Sequence, residues 1–235
     1  MSLNIIALVQ ARRDSTRLPE KVALPLAGEP LLQRVVERAR RATLIQKVVV
    51  ICPHDDLGWI SGLLSGDRCV YAPDVPDDDL VARHLAAAEA FNADIICRIP
   101  SDNPCVEPGY IDEAVRTYRA YPLPFYSNTT VGLQGRWIDG LGAEVLSASR
   151  LRWLDLNTAT LSAYREHPHR LFYEQAERHP EWFGFPVSAP TLRLDVNTQA
   201  DYEFIKYIYE HVYPTTPDFT IADVLAYLAT KVHVA

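Results

Sequence analysis

Short apolar runs alternate with amphipathic stretches along most of the chain. Asn4 to Val9 is apolar and β-branched, the pattern of a parallel strand buried on both faces. Lys47 to Cys52, the shorter Arg68 to Tyr71, and Asp94 to Ile99 repeat it. Between them, Pro30 to Arg41 places Leu31, Leu32, Val35 and Val36 at helical spacing, Asp56 to Leu64 reads as a short helix, and Leu80 to Phe91 as an alanine-rich one. Parallel strands need crossovers, so this βαβαβ rhythm predicts an α/β fold with a mostly parallel central sheet and helices on both faces. The second half predicts a helix over Gly109 to Tyr121, a strand over Phe125 to Asn128, an aperiodic loop from Thr129 to Trp137, and a strand over Thr191 to Val196. Helices over Tyr202 to His211 and Ile221 to Thr230 follow, the first capped by Asn197 or Thr198.

Composition narrows the possibilities. With 235 residues and 48% hydrophobic content the chain can bury one sizeable core, so a single domain is expected. No run of about 18 apolar residues is present to span a bilayer, and the start MSLN lacks the charged and apolar segments of a signal peptide; a cytoplasmic protein without membrane insertion is expected. Cys52, Cys69, Cys97 and Cys105 form no C-x-x-C pair and read as reduced, buried thiols. A formal net charge of -7 argues against a nucleic-acid partner.

Against that acidic background the stretch Gln10 to Lys21, QARRDSTRLPEK, concentrates Arg12, Arg13, Arg17 and Lys21, and Pro19 keeps them from extending a helix. A loop that leaves the carboxyl end of a parallel strand faces the crevice where open α/β sheets hold ligands, so a small anion is expected there. The same argument sends Ser101, Asp102 and Asn103, after the strand ending at Ile99, toward that crevice. Asp102 reads either as a magnesium-binding carboxylate or as the start of a turn before Pro104. Neither a G-x-G-x-x-G nor a Walker pattern is present. His167 and His169 lack a third ligand at zinc spacing, and Ser15 with His167 lacks a G-x-S-x-G elbow.

Arg12, Ser15, Arg17, Leu18, Pro19 and Lys21 together write R-x-x-S-x-R-L-P-x-K. This resembles the signature of the cytidylyltransferases that activate acidic sugars, the group of CMP-sialic acid and CMP-Kdo synthetases. The following VALPLAGEPLLQRVVERARRA is most similar to the branch named after spore coat polysaccharide biosynthesis protein F. The resemblance implies a single Rossmann-like, GT-A-like nucleotidyltransferase domain over residues 1–235, with roughly 129–180 as a sugar-binding and dimerisation extension. It also implies that CTP and an acidic or modified sugar combine to CMP-sugar and pyrophosphate, for surface polysaccharide or glycan biosynthesis, in a homodimer.

Carried over residue by residue, the resemblance makes Arg12, Arg17 and Lys21 the triphosphate holders, with Ser15 in the same loop, and puts Gln10 and Ala11 near the cytosine. RIPSDNPCVEP resembles R-I-T-G-D-C-P-L-I-D-P, so Asp102 takes the metal position, with Asn103 beside it as a substrate contact. PDDDLVARHL resembles a nucleotide-binding D-D-V-L-x-R-Y segment and nominates Asp79 and Arg83. DGLGAEVLS and R-E-H nominate Asp139, Glu144, Arg165, Glu166 and His167 for the sugar, Arg165 as the cation for its carboxylate. The family's second acidic metal position falls on Asn197, whose amide oxygen adds no charge; Asp195, two residues earlier on the same strand face, is the alternative ligand for Mg²⁺. Two other readings stand beside this one: a nucleotidyltransferase using another nucleoside triphosphate or a sugar phosphate, and a non-catalytic nucleotide-binding subunit.

Overall fold

A computed structural model describes residues 2–66, 68–129, 138–158, 162–176, 178–184 and 192–232. Its centre is β1, Ile5–Gln10, whose alternating side chains are buried on both faces. Ile5, Ala7 and Val9 enter one apolar cluster, Ile6 and Leu8 the other. Period-2 geometry turns one continuous hydrophobic run into two cores, and each core demands a layer of helices.

β4, Lys47–Ile51, and β6, Ile95–Pro100, flank β1 in parallel, and β5, Val70–Tyr71, extends the sheet beyond β4. On one face lie α1 (Leu31–Ala39), α4 (Pro108–Ala120), α8 (Gln199–His211) and α9 (Ile221–Val232); on the other lie α3 (Leu80–Ala90), α5 (Ala148–Asn157) and α7 (Arg170–Tyr173). The α/β expectation is met, including helices on both faces. The short helix after β4 is α2, Leu57–Gly62, preceded by a 3-10 turn. Before α1 the chain makes a hairpin that the periodicity does not signal: β2, Pro25–Leu26, pairs with β3, Glu29–Pro30, through Ala27 and Gly28 at φ 47° and 86°. Two consecutive positive φ values are those of a type I′ turn, where glycine removes half the strain.

Two findings correct the reading of elements, and a third decides between its two candidate caps. β8, Glu144–Ser147, lies antiparallel between β6 and β7 (Tyr126–Ser127), giving the order β5-β4-β1-β6-β8-β7. The segment expected as an extension therefore begins inside the main sheet, and α5 packs on α3 rather than standing apart. Second, residues 192–196 form no regular strand. Leu194 N donates to Asp139 O at 3.0 Å, within an isolated parallel bridge of Asp139 with Arg193, and Val196 N to Asp102 O at 2.8 Å, in the turn after β6. Gly140 makes this approach possible: a Cβ there would lie 2.5 Å from the Leu194 carbonyl carbon. Third, Thr198, not Asn197, caps α8, in a reciprocal capping box with Asp201. Thr191 and most of the 129–137 loop lie outside the described residues. Among the described residues no helix is long and apolar enough to cross a membrane.

Candidate active site

The carboxyl ends of β1 and β6 open into a cavity of about 870 Å³. The loop after β1 forms one wall. Ala11 N donates to Ile51 O at 2.9 Å and Arg13 N to Asp56 Oδ2 at 2.8 Å, anchoring the loop at its start. Arg13 then turns outward to Glu20 at 2.7 Å and over the Trp59 ring, whereas Gln10, Ala11, Arg12, Ser15, Arg17 and Lys21 line the cavity. The fourfold cationic cluster thus divides into one surface staple and three cavity cations.

The turn after β6 forms the floor, with Asp102 and the buried Asn103 among its lining residues. Lys21 Nζ donates to Asp102 Oδ2 at 2.6 Å, to Val196 O at 2.9 Å and toward Asn197 Oδ1 at 3.5 Å. Arg17 donates to the same Asn197 oxygen at 2.6 Å, and Asn197 Nδ2 donates to Asp195. The amide orientation follows from its neighbours: a flipped Asn197 would press its own N–H groups against two cations. Asp195 is buried, at 5% exposure, and fully engaged, since Arg193 Nε and Nη2 reach its two oxygens at 3.1 and 2.7 Å. Of the two candidates for a second metal ligand, Asp195 is held by Arg193 and the Asn197 amide, whereas Asn197 Oδ1 meets the same Lys21 ammonium as Asp102. Asp102, Val196 and Asn197 offer hard oxygen donors converging on one cation position, a set that fits Mg²⁺, which needs only one or two carboxylates once phosphates and water complete its shell. Among the described residues no trio of His, Cys, Asp or Glu groups is placed to hold a metal ion.

Arg83 lines the cavity at only 1% exposure, with Asp77 and Asp78 nearby. Its Nη2 donates to Asp77 O at 3.0 Å, its Nε meets no partner among the described residues, and burial pulls its pKa below the usual arginine value. Asp79 lies elsewhere: it caps α3 through Ala82 N at 2.9 Å and accepts from Arg165 Nε at 2.7 Å. Arg165, at the end of α6 (Ser162–Glu166), also binds Asp155 at 2.8 Å. The two carboxylates hold its charge outside the lining, where it ties α3, α5 and α6 together. Glu166, His167 and Asp139 do line the cavity.

Glu144 also meets an opposite charge in this structure. It sits beneath the cavity at 1% exposure, where Arg98 Nη1 donates to it at 2.8 Å. Arg98 and Glu144 are cross-strand partners on β6 and β8, and Arg98 Nε reaches Gln10 Oε1 at 3.4 Å. His169 Nδ1 lies 3.9 Å from Glu144 Oε2, and burial drives this imidazole's pKa down to about 4. Arg98 and Arg193 line the cavity without having been singled out in the sequence, and His169, weighed there only as half of a zinc pair, lines it as well. Arg98 was legible only as the one cation in DIICRI, and Arg193 carried no spacing signal.

A family model described as cytidylyltransferase matches residues 6–216. Spore coat polysaccharide biosynthesis protein SpsF of Bacillus subtilis (strain 168) is 28% identical over 236 residues, covering 96% of this chain and 94% of that protein. A 3-deoxy-manno-octulosonate cytidylyltransferase of Geobacter sulfurreducens is 34% identical over 113 residues, only 48% of this chain and 44% of that enzyme. Among solved structures, a cytidylyltransferase from Leptospira borgpetersenii serovar Hardjo-bovis (strain JB197) superimposes with a TM-score of 0.84 at 26% identity, covering 99% of this chain and 97% of that one.

Proposed function

The chain belongs to the cytidylyltransferase family, and from that premise we propose that it joins CTP to an acidic or modified sugar, releasing pyrophosphate and a CMP-sugar for polysaccharide or glycan synthesis. The carrying observation is that Arg12, Arg17 and Lys21 share one cavity with Asp102 and Asn197, which puts anion-binding cations beside hard oxygen donors.

In this reading the sugar hydroxyl oxygen attacks the α-phosphorus of CTP, and the α–β bridging oxygen leaves with the bond's electron pair as pyrophosphate. The hydroxyl proton passes to solvent. Such a displacement depends on alignment and charge neutralisation more than on covalent catalysis. Arg12 and Arg17 bind the phosphates and stabilise charge on the departing pyrophosphate; Lys21 joins them. Gln10 and Ala11, at the end of β1, contact the base, and Arg83 supports that side of the nucleotide. Asp139, Glu166 and His167 meet the sugar hydroxyls, and Asn103 fixes the floor between the two substrates. Asp102 with Asn197 would hold Mg²⁺, which supplies positive charge to the phosphate oxygens when bound.

The deciding experiment is thermal unfolding with CTP, UTP, ATP and GTP, each with and without Mg²⁺, since a ligand of the native state raises the midpoint. Selective stabilisation by CTP that grows with Mg²⁺ is expected. Equal shifts with all four nucleotides would move the assignment to a nucleotidyltransferase of other specificity, and no shift at all would reject a triphosphate site. We extend the proposal to a homodimer, supported by Trp153 and Leu156, which stand 42% and 73% exposed three residues apart on α5. A monomer at micromolar concentration in sedimentation would overturn that part.

A further inference from the structure

The hydrogen bonds of Lys21 describe a cation position already filled. Its ammonium is held by three oxygens, Asp102 Oδ2 at 2.6 Å, Val196 O at 2.9 Å and Asn197 Oδ1 at 3.5 Å, and its side chain is largely buried, at 13% exposure. Two of these oxygens come from the very side chains that fit a divalent ion, and the third is a main-chain carbonyl whose own N–H is tied to Asp102 O at 2.8 Å. The position is therefore rigidly framed: the 102 turn and the 196–197 segment are bound to each other with or without the ammonium between them. Arg17 adds a second positive charge on Asn197 Oδ1 at 2.6 Å.

We propose that Lys21 is a displaceable stand-in for the divalent cation: in the nucleotide-free enzyme its ammonium occupies the Asp102–Val196–Asn197 oxygen site, and metal enters only as a triphosphate draws Lys21 away. The exchange rests on the triphosphate reading given above. Charge accounts for it. Asp102 supplies one negative charge and Asn197 none, while Asp195 is neutralised by Arg193 at 2.7 Å. Lys21 balances the single carboxylate, and a divalent ion arriving beside an ammonium in place would meet a like charge at close range. A triphosphate changes both sides at once. It offers Lys21 a more highly charged anion within the same loop's reach and brings its own oxygens to the metal. Metal and nucleotide then bind with positive coupling, each raising the other's affinity by the same factor. Val196 O, which no side-chain pattern reveals, becomes a ligand of the site, and Lys21 gains a positioning role in addition to phosphate binding: it keeps the donor oxygens facing one point before the metal arrives.

The test uses Mn²⁺ alone as the probe, with free ion followed by electron paramagnetic resonance on the full chain without nucleotide. Wild type is expected to bind weakly. Lys21→Met, close in length and uncharged, should bind Mn²⁺ roughly tenfold tighter or more, Lys21→Arg should stay weak because it keeps the charge, and Lys21→Met with Asp102→Asn should lose the gain. Lys21→Gln repeats the measurement if the Met variant does not fold. Unchanged Mn²⁺ affinity on removing the charge, or a gain that survives Asp102→Asn, would overturn the proposal. Adding CTP should tighten Mn²⁺ binding more in wild type than in Lys21→Met; equal tightening would overturn the exchange. A gain in Lys21→Met accompanied by no stabilisation of wild type by CTP would leave the ammonium in the cation site but reject its displacement by CTP, together with the CTP reading itself.

Discussion

Gly142 and Asn197 owe their identities to local physical causes. At Gly142 a Cβ would lie 2.3 Å from both Asn128 O and Asn128 Oδ1. Asn128 takes that space because its Oδ1 accepts from Ala143 N at 2.8 Å and its Nδ2 donates to Tyr110 O at 2.8 Å, tying β7 to α4. Gly142→Ala should therefore cost about 1–3 kcal/mol, as overpacking against backbone does; an unchanged urea midpoint would show that Asn128 moves freely. At Asn197 the cause is electrostatic. Its Nδ2 donates to the buried Asp195, so Asn197→Asp sets two carboxylates against each other, where one resists ionisation. The expected outcome is a lower melting temperature without ligand and a larger Mg²⁺-dependent rise with CTP than in wild type. Equal rises would remove residue 197 from the metal's ligands.

At the scale of elements, the strands that were readable are those whose side chains fill both cores. Ile5 to Val9 and Val48 to Ile51 carry apolar residues at every position, so pattern and burial agree. β8 escaped because it opens on Glu144, a residue that reads as surface or site chemistry until Arg98 is found opposite it on β6. Residues 192–196 misled in the other direction: L-R-L-D-V alternates, yet Leu194 and Val196 bury themselves while their backbone pairs only with an isolated bridge and a turn. Periodicity reports which side chains are buried, not what the backbone bonds to. The site divides in the same way. Arg12, Arg17, Lys21 and Asp102 were legible because chain position at strand ends fixes their direction, whereas Asp79, Glu144 and Arg165 could not be told from cavity residues without knowing which opposite charge each one meets. That distinction predicts a contrast. Glu144→Gln, leaving Arg98 buried against a neutral amide, should lose about 3–5 kcal/mol of stability, while exposed Glu89→Gln, whose Arg152 partner is also exposed, should lose no more than about 1 kcal/mol. Similar losses in urea titrations would mean that the Arg98–Glu144 pair is not a structural tie between β6 and β8.

For the whole molecule, the helical layer over the α3 face carries a pH liability that the net charge conceals. His84 is fully buried in α3, with its Nδ1 on Leu80 O at 2.7 Å, and desolvation, reinforced by the nearby Arg98, lowers its pKa to about 3. His169, on the adjacent α7 side, is lowered to about 4, chiefly by burial, with Glu144 opposing the shift and Arg98 and His167 adding to it. Both groups are neutral in the folded protein at pH 7, and the unfolded chain takes up their protons first, near the ordinary histidine value of 6.5. Folded stability that is complete above that value is therefore withdrawn as pH falls toward 4 for His169 and toward 3 for His84. Within that window each histidine steepens the loss by up to about 1.4 kcal/mol per pH unit. Carboxylates titrate over the same acid range, so the slope of wild type alone does not isolate the histidines. A comparison does: His84→Leu removes one proton uptake site, and its urea-derived stability should fall less steeply than that of wild type between pH 6 and 4, whatever its value at pH 7. Parallel slopes would place a proton on His84 in the native state, and with it water or a counter-charge inside the layer that otherwise keeps α3 dry against the sheet.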